Sequence, residues 1–248
     1  MKYKALFLDL DGTTVVLGGM TPSIGVTRAV LAADKKIDVC LATGRILSHA
    51  LPVVEVLKLS GLCVIANGIQ IYNPRDKKVV QEIAINETDV PYVLEVMRKY
   101  GLAVRYFDGE SDIPYTDDVD PAEILSLYVE GIDKKIADSV ITNLTFLPEL
   151  SAHEMIINSI NPDNIGLEIA HIRATKQHGI AEVAKRLHIS TKEIIGVGDG
   201  YNDFPLLMAC GFRVAMENAV PDLKAIADYI APSVTADGVA HVIEKFIL

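Results

Sequence analysis

The sequence of 248 residues contains no tryptophan, three cysteines and no excess of basic residues. Without tryptophan, and with modest tyrosine and phenylalanine, an aromatic platform for stacked bases is not expected. The formal net charge of -10 argues against a general affinity for nucleic acid or anionic membrane, because both need basic patches. It does not exclude an anionic small substrate, since a metal ion and a few local cations can reverse the field inside a cleft.

The cysteines are odd in number, widely spaced and set among apolar residues: Cys40, Cys63 and Cys210. They are expected to be buried thiols rather than a disulfide framework or a metal pair. No apolar stretch reaches the ~18 residues of a membrane span, and the N-terminus reaches Asp9 without the apolar region of a signal peptide. We therefore expect a soluble, cytoplasmic protein with neither a membrane nor a nucleic acid as partner.

Three apolar runs alternate with two helical segments in the first third of the chain. The runs are Lys4–Leu8, Asp38–Ala42 and Leu62–Ala66, and helices are expected over Ser23–Lys36 and Leu47–Leu59. Each apolar run ends in charge, glycine or another turn former, which is typical of a buried strand opening into a loop. This βαβαβ order predicts a parallel sheet with right-handed crossovers.

In the middle of the chain the predicted elements follow a different order, in which hairpins mix with helices and the last strands include one near Glu154–Asn158. Single strands then alternate with helices again, beginning with a strand over Ile194–Gly198. We therefore predict a doubly wound, Rossmann-like α/β core formed by residues 1–81 and 172–248. Residues 82–171 are predicted to be an inserted, mixed α/β domain.

Polar residues follow four of the predicted strands. They are Asp9 with Asp11, Thr43-Gly44-Arg45, Asn67-Gly68 and Asp199–Asp203. Because the carboxyl ends of parallel strands share one edge of the sheet, these loops are expected to meet there. Two acidic clusters with a hydroxyl between them indicate a site for a divalent cation and an oxyanion. The alternative for each stretch alone is an ordinary polar turn, and Asn67 is explained equally well as a turn residue or as a substrate contact.

The types of ligand atom favour magnesium. Hard carboxylate oxygens suit Mg²⁺, which keeps several waters and takes one or two carboxylates from the protein. Asp9 and Asp199 are the candidate ligands, and Asn202 and Asp203 are candidates to hold waters or to orient Asp199. Asp9 and Asp11 are one residue apart on an extended backbone, so their side chains point to opposite sides and must have different roles.

Four motifs together resemble those of the haloacid dehalogenase superfamily phosphatases. They are Asp9–Thr13, Ala42–Arg45, a lysine where the chain returns to the core, and Gly198–Asp203. Their order is similar to that of the Cof-type branch, in which a cap domain is inserted between the second and third motifs. The third motif matches least closely, because family members often place glycine directly after the lysine.

For this third motif, Lys176 is the candidate and Arg173 the substitute, since the run here is Thr175-Lys176-Gln177. The ordinary alternative for Lys176 is a solvated lysine near a helix start. The resemblance implies that the lysine neutralises charge between Asp9 and the phosphoryl group.

The resemblance further implies a Mg²⁺-dependent phosphatase acting on a small phosphorylated metabolite, such as a sugar phosphate, through an aspartyl-phosphate intermediate. Asp9 would attack phosphorus, while Asp11 would protonate the leaving oxygen and then deprotonate the attacking water. The metal would be held by Asp9, Asp199 and the backbone carbonyl of Asp11. It would keep Asp9 ionised, whereas Asp11, off the metal side, can be protonated near neutral pH.

The phosphate itself would be bound by the second and third motifs. Thr43 would donate its hydroxyl hydrogen to a phosphoryl oxygen, helped by the backbone N–H of Gly44 and by Lys176. Two other functions stay open: a mutase or phosphotransferase with the same core chemistry, and a catalytically idle sensor of a phosphorylated metabolite.

Overall fold

The protein is described here by a computed structural model that covers residues 2–156 and 164–248. The chain divides into two units, one formed by Met1–Gln81 with Thr175–Leu248 and the other by Glu82–Ala174. Within the two described ranges, no helix is both long enough and apolar enough to cross a membrane.

Strands and helices alternate at both ends of the chain. The strands are β1 (Ala5–Leu8), β2 (Asp38–Leu41), β3 (Cys63–Ile65), β4 (Gln70–Asn73), β5 (Lys78–Glu82), β6 (Arg105–Phe107), β7 (Asp112–Pro114), β8 (Ser126–Asp133), β9 (Leu150–Ile156), β10 (Asn164–His171), β11 (Ile194–Gly198), β12 (Phe212–Met216) and β13 (Tyr229–Ala231). The helices are α1 (Ile24–Ala33), α2 (Leu47–Leu57), α3 (Val90–Lys99), α4 (Lys134–Leu144), α5 (Lys176–Arg186), α6 (Phe204–Ala209), α7 (Pro221–Ile226) and α8 (Gly238–Phe246). Of the strand predicted over Glu154–Asn158, residues 157 and 158 lie outside the described residues.

The first unit is built on a parallel sheet in the order β13-β12-β11-β1-β2. In the centre, Leu8 of β1 is level with Val197 on one side and Leu41 on the other. All three side chains are fully buried, as expected for a parallel sheet covered on both faces. The predicted α/β core with a parallel sheet is thus confirmed, and the residues that follow β1, β2 and β11 emerge at the same edge.

The third predicted parallel strand is shorter than expected and changes partner. Ala42, the residue after β2, forms a parallel bridge with Val64 of β3, and β3 pairs antiparallel with β4. Ala66 and Asn67 follow it with positive φ angles of 47° and 52°, which turns the chain back towards β4. β3, β4 and β5 therefore form a three-stranded sheet of their own.

The second unit is an antiparallel sheet with two helices packed on it. The strand order is β7-β6-β8-β10-β9. Its core joins apolar residues of α3 and α4 to those of the sheet, among them Val93, Met97, Val140, Leu127 and Leu167. Burying one apolar face of a sheet under helices is the usual way for such a unit to gain a core of its own.

The second unit extends three residues beyond the boundary predicted at residue 171. The turn after β10 stays with this unit because the Ile172 N–H donates to the Glu149 carbonyl at 2.7 Å. The Ala174 N–H likewise donates to the His171 carbonyl at 2.8 Å. The chain returns to the first unit at Thr175. The assignment of the second unit as a cap domain stays a prediction.

Candidate active site

β1 delivers Asp9 to the carboxyl edge of the parallel sheet. The Asp9 N–H donates to the Val197 carbonyl at 2.9 Å, and the Thr14 hydroxyl donates to the Asp9 carbonyl at 2.6 Å. These two bonds hold the Asp9 backbone beside β11. The residue is 4% exposed, so its carboxylate lies in a largely buried environment at the end of the sheet.

Lys176, the first residue of α5, lies between two carboxylates. Its Nζ donates to Asp9 Oδ1 and to Asp203 Oδ1, both at 2.6 Å. The start of the helix is fixed by Thr175, whose side-chain oxygen accepts the His178 N–H at 3.2 Å. Lys176 is 1% exposed, and a buried ammonium is tolerated only when it is paired. A single ammonium group is therefore shared by two buried carboxylates.

Asp203 shapes the loop that follows β11. Besides its bond to Lys176, its Oδ2 accepts the N–H groups of Asp199 and Gly200, each at 2.9 Å. The side chain is fully buried, and both of its oxygens are engaged by donors of the protein. Asp203 thus holds the backbone of this loop in place, and Asp199, which is only partly buried, is the acidic residue of the loop that is open to a ligand.

Asp199 is held from two directions. Its Oδ1 accepts from the Thr13 hydroxyl at 2.7 Å, and its Oδ2 accepts from Asn218 Nδ2 at 3.3 Å. The carboxylate also lies against Gly12, where an added Cβ would come within 2.2 Å of Asp199 Oδ2. Glycine is therefore required at position 12. Asn202 is exposed and folds back over Gly200; in the described part of the chain it is not among the partners of Asp199.

The pKa values of this cluster show a shortage of positive charge. Burial, followed by repulsion from Asp203, raises the pKa of Asp9 to about 8, although Lys176 opposes the shift. Burial also raises the pKa of Asp199 to about 6, against the hydrogen bond from Thr13. The pKa of Lys176 is raised, because the two carboxylates outweigh the effect of its burial. The lysine therefore stays charged but does not neutralise the acidic groups around it.

The donor set fits a divalent cation. Asp9, Asp199 and Asp203 each offer an oxygen, and these oxygens lie within 4.8 Å of one another. When all are ionised, these three carboxylates and the Lys176 ammonium leave a formal charge of −2. Asp203 is fully buried and accepts from three donors, whereas Asp199 is only partly buried and accepts from one donor at each oxygen. Asp9 and Asp199 are therefore the side chains that would hold the ion. Two carboxylates and several waters are the usual shell of Mg²⁺ in proteins.

Thr43 and Gly44 follow β2 at the neighbouring strand end. Thr43 is 1% exposed, and its hydroxyl oxygen accepts the Arg45 N–H at 3.1 Å. The Thr43 N–H donates to the Val64 carbonyl at 2.9 Å, and the Thr43 carbonyl accepts from the Asn67 N–H at 3.0 Å. A Cβ on Gly44 would lie 3.1 Å from Asn67 Oδ1. The loop after β3 is therefore attached to the predicted phosphate-binding residues.

Asp11 is bound by Arg45. The guanidinium donates from Nε to Oδ2 at 2.7 Å and from Nη2 to Oδ1 at 2.6 Å, and the Gly18 N–H adds a bond of 2.8 Å. Partial burial raises the pKa of Asp11, but the bonds from Arg45 and Gly18 outweigh it and hold the pKa below its ordinary value. The position of Asp11 beside Arg45 therefore favours its carboxylate form, whereas the acid role predicted for it needs the protonated form.

The structure brings four of the predicted site residues into one cluster. Asp9, Lys176 and Asp203 are in direct contact, and Asp203 binds the backbone of Asp199. Thr13 and Asn218, which contact Asp199, were not singled out from the sequence. Asn218 follows β12 at the same sheet edge, so the rule that polar residues after parallel strands mark a site would have found it.

A sequence model of the family described as haloacid dehalogenase-like hydrolase matches residues 6–243. The chain is 26% identical over 251 residues to the 5-amino-6-(5-phospho-D-ribitylamino)uracil phosphatase YcsE of Bacillus subtilis, covering 99% of this chain and 96% of that protein. It is 23% identical over 248 residues to the phosphoglycolate phosphatase of Methanothermobacter thermautotrophicus, covering 98% of this chain and 99% of that protein. Its fold is similar to that of a haloacid dehalogenase-like hydrolase from Bacteroides thetaiotaomicron, with a TM-score of 0.81 and 24% identity. The match covers 98% of this chain and 99% of that protein.

Proposed function

Since the chain belongs to the haloacid dehalogenase-like hydrolases and is a phosphatase of that family, we propose that it hydrolyses phosphate monoesters of small metabolites with Mg²⁺, through an aspartyl-phosphate intermediate. The observation that carries the proposal is the buried contact of Asp9 with Lys176 beside Asp199. A carboxylate nucleophile must be ionised, oriented and shielded from bulk water. Burial shields Asp9 and Lys176 orients it, while a bound cation would stabilise its ionised form.

The phosphoryl group is transferred in two steps. Asp9 attacks phosphorus in line and forms an acyl phosphate, while the leaving oxygen departs with a proton from Asp11. Water then attacks the acyl phosphate, with Asp11 as the base, and inorganic phosphate leaves. Asp9 Oδ1 is held by Lys176, so the orientation of the attacking carboxylate is set before the substrate binds.

Charge on the phosphoryl group is balanced by residues from three loops. Lys176 provides a buried ammonium group, and Thr43 and Gly44 provide hydrogen-bond donors at the neighbouring strand end. Asp9, Asp199 and the Asp11 carbonyl would hold Mg²⁺, which supplies positive charge to the phosphoryl oxygens during transfer. The raised pKa values of Asp9 and Asp199 support this assignment, because a divalent cation stabilises their ionised forms.

Arg45 keeps Asp11 in the state needed for the second step. As a carboxylate bound to Arg45, Asp11 is ready to accept a proton from water, whereas its role as an acid needs the protonated form. We expect Arg45→Met to raise the pKa of Asp11, because the variant loses two charge-assisted hydrogen bonds. Asp11 would then stay protonated to higher pH, so the fall of kcat/KM on its alkaline side should move upward. The measurement is kcat/KM from about pH 4 to about pH 9.

The control for this prediction is Arg75→Met. Arg75 pairs with Asp38 at 3.6 Å, at the start of β2 and thus at the opposite end of the strand from Thr43. Its pH profile should coincide with that of the wild type. A profile of Arg45→Met that also coincides with the wild type would show that Arg45 does not set the protonation of Asp11.

The substrates are proposed to be small. The two curated relatives described above are named for a ribitylaminouracil phosphate and for phosphoglycolate, which are both small phosphorylated compounds. The formal net charge of -10 is compatible with such anions only if the site carries its own cations, and Lys176 with Mg²⁺ would supply them. Sugar phosphates are included in the proposed class.

The test is phosphate release from a panel of sugar phosphates, phosphoglycolate and nucleoside monophosphates, with Mg²⁺ or with EDTA. We expect at least one small monoester to be hydrolysed, with a loss of about 100-fold or more in EDTA that added Mg²⁺ reverses. Transfer to a second metabolite without phosphate release would indicate a phosphotransferase instead. Binding of monoesters without any turnover would indicate a sensor, and undiminished hydrolysis in EDTA would contradict the metal assignment.

A further inference from the structure

Asn218 connects three segments of the chain at the edge of the parallel sheet. It lies in the turn after β12, where the Ala219 N–H donates to the Met216 carbonyl at 2.9 Å. Its Nδ2 donates to the Gly12 carbonyl at 2.8 Å and to Asp199 Oδ2 at 3.3 Å. Its Oδ1 accepts the Val234 N–H at 2.9 Å. One side chain thus contacts the loop of Asp9, the loop of Asp199 and the segment before α8.

The direction of the Asn218 amide follows from these partners. The backbone N–H of Val234 can only donate, so it must face the oxygen of the amide. The nitrogen is then directed at the Gly12 carbonyl and at Asp199 Oδ2. The carbonyl oxygen is an acceptor only, and so is Oδ2 when Asp199 is ionised. Both hydrogens of the NH₂ group therefore have acceptors, and the amide has no equivalent flipped arrangement.

The same turn also binds the backbone of Asp199. The Val220 N–H donates to the Asp199 carbonyl at 3.0 Å. On the other side of the carboxylate, the Thr13 hydroxyl donates to Oδ1. The rotation of the Asp199 carboxylate is thus defined at both oxygens, by Thr13 from the β1 loop and by Asn218 from the β12 turn.

We propose that Asn218 is a positioning residue of the metal site: it fixes the Asp199 carboxylate relative to the β1 loop and thereby sets the affinity for Mg²⁺. This inference rests on the proposed function, since it takes Asp199 as a metal ligand. Donors that orient ligating carboxylates typically change metal affinity when they are removed, even though they never touch the ion. The turn after β12 would then be a fifth loop of the site, beside the four that carry the recognised motifs.

The experiment measures Mg²⁺ binding by calorimetry on the substrate-free protein, so that it does not depend on turnover. In Asn218→Ala the dissociation constant for Mg²⁺ should rise about 10-fold or more. The unfolding temperature in EDTA should stay within a few degrees of the wild type, because Asn218 is exposed and its loss opens no cavity in the core. A residue that merely supported the fold would show the reverse, with a lower unfolding temperature and unchanged Mg²⁺ affinity.

Three further variants make the result decisive. Glu217→Gln changes the exposed neighbour of Asn218 and should leave Mg²⁺ affinity within about two-fold of the wild type. Asp199→Asn should abolish binding, which shows that the ion measured is the one at this site. If Asn218→Ala proves insoluble, Asn218→Ser, which cannot span Gly12 and Asp199 together, should show the same loss of affinity.

The outcomes separate this inference from the proposed function. If the wild type binds Mg²⁺, Asp199→Asn does not, and Asn218→Ala binds as the wild type does, then Asn218 has no positioning role and the proposed function is untouched. If the wild type itself does not bind Mg²⁺, the proposed metal site is overturned and the role of Asn218 falls with it.

Discussion

Asp9→Asn should lower the rate of phosphate release by about 10⁴-fold or more, while the protein still folds. The amide is a far weaker nucleophile than a carboxylate and cannot form the acyl phosphate. It can still accept a hydrogen bond from Lys176 through its oxygen, so the partner that orients position 9 is retained. The measurement is steady-state phosphate release from the best substrate of the panel, in the presence of Mg²⁺.

The stability of this variant provides a second readout. Burial and the nearby Asp203 raise the pKa of Asp9 to about 8, which means that the ionised form is disfavoured in the metal-free protein. Replacing the carboxylate by a neutral amide removes that unfavourable charge. We therefore expect the unfolding temperature of Asp9→Asn in EDTA, at about pH 7.5, to equal or exceed that of the wild type, and the stabilisation by Mg²⁺ to be smaller.

A matched control is Asp76→Asn, in the exposed turn between β4 and β5. Asp76 accepts a hydrogen bond from Asn73 at 2.6 Å and lies on no strand end of the parallel sheet. Its activity should stay within about two-fold of the wild type. If Asp9→Asn retained a rate within about tenfold of the wild type, another group would have to be the nucleophile.

The strand ends were the part of the site that the sequence could predict. The apolar runs before Asp9 and Asp199 indicate buried strands, and the alternation with helices puts their carboxyl ends at one edge. Lys176 was identified only through the family resemblance, because a lysine at the start of a helix is ordinarily solvated. Its burial depends on Asp9 and Asp203, which are 167 and 27 positions away in the chain.

Other features depend on contacts that no local pattern encodes. Asn218 and Gly12 are 206 positions apart, so their hydrogen bond follows from the order of strands in the sheet and not from the residues around either of them. The pairing of Arg45 with Asp11, which lowers the pKa of the carboxyl group, depends in the same way on side-chain geometry between two loops. β7 and β13 have three residues each, which is too few to show the alternation of apolar and polar residues that indicates a strand.

Lys176→Met should both abolish turnover and lower the free energy of unfolding of the first unit by about 3–5 kcal/mol in EDTA. Methionine has nearly the length of lysine, so little volume is lost, and the effect comes from charge. Without the ammonium group, Asp9 and Asp203 are two buried carboxylates that face each other with no cation between them. Urea unfolding followed by circular dichroism measures the loss, and phosphate release measures the activity.

Added Mg²⁺ should restore part of the lost stability, because the ion binds the folded state and the variant site carries one more uncompensated negative charge. The matched control is Lys185→Met on the same helix, whose side chain is 80% exposed and pairs with Glu182 at 3.8 Å. An exposed pair of this kind contributes little, so its loss should change the free energy of unfolding by about 0.5 kcal/mol or less. An unfolding free energy of Lys176→Met no lower than that of Lys185→Met would contradict this prediction. The two buried carboxylates would then have to be neutral without the lysine, and the shared ammonium group would not be what orients Asp9.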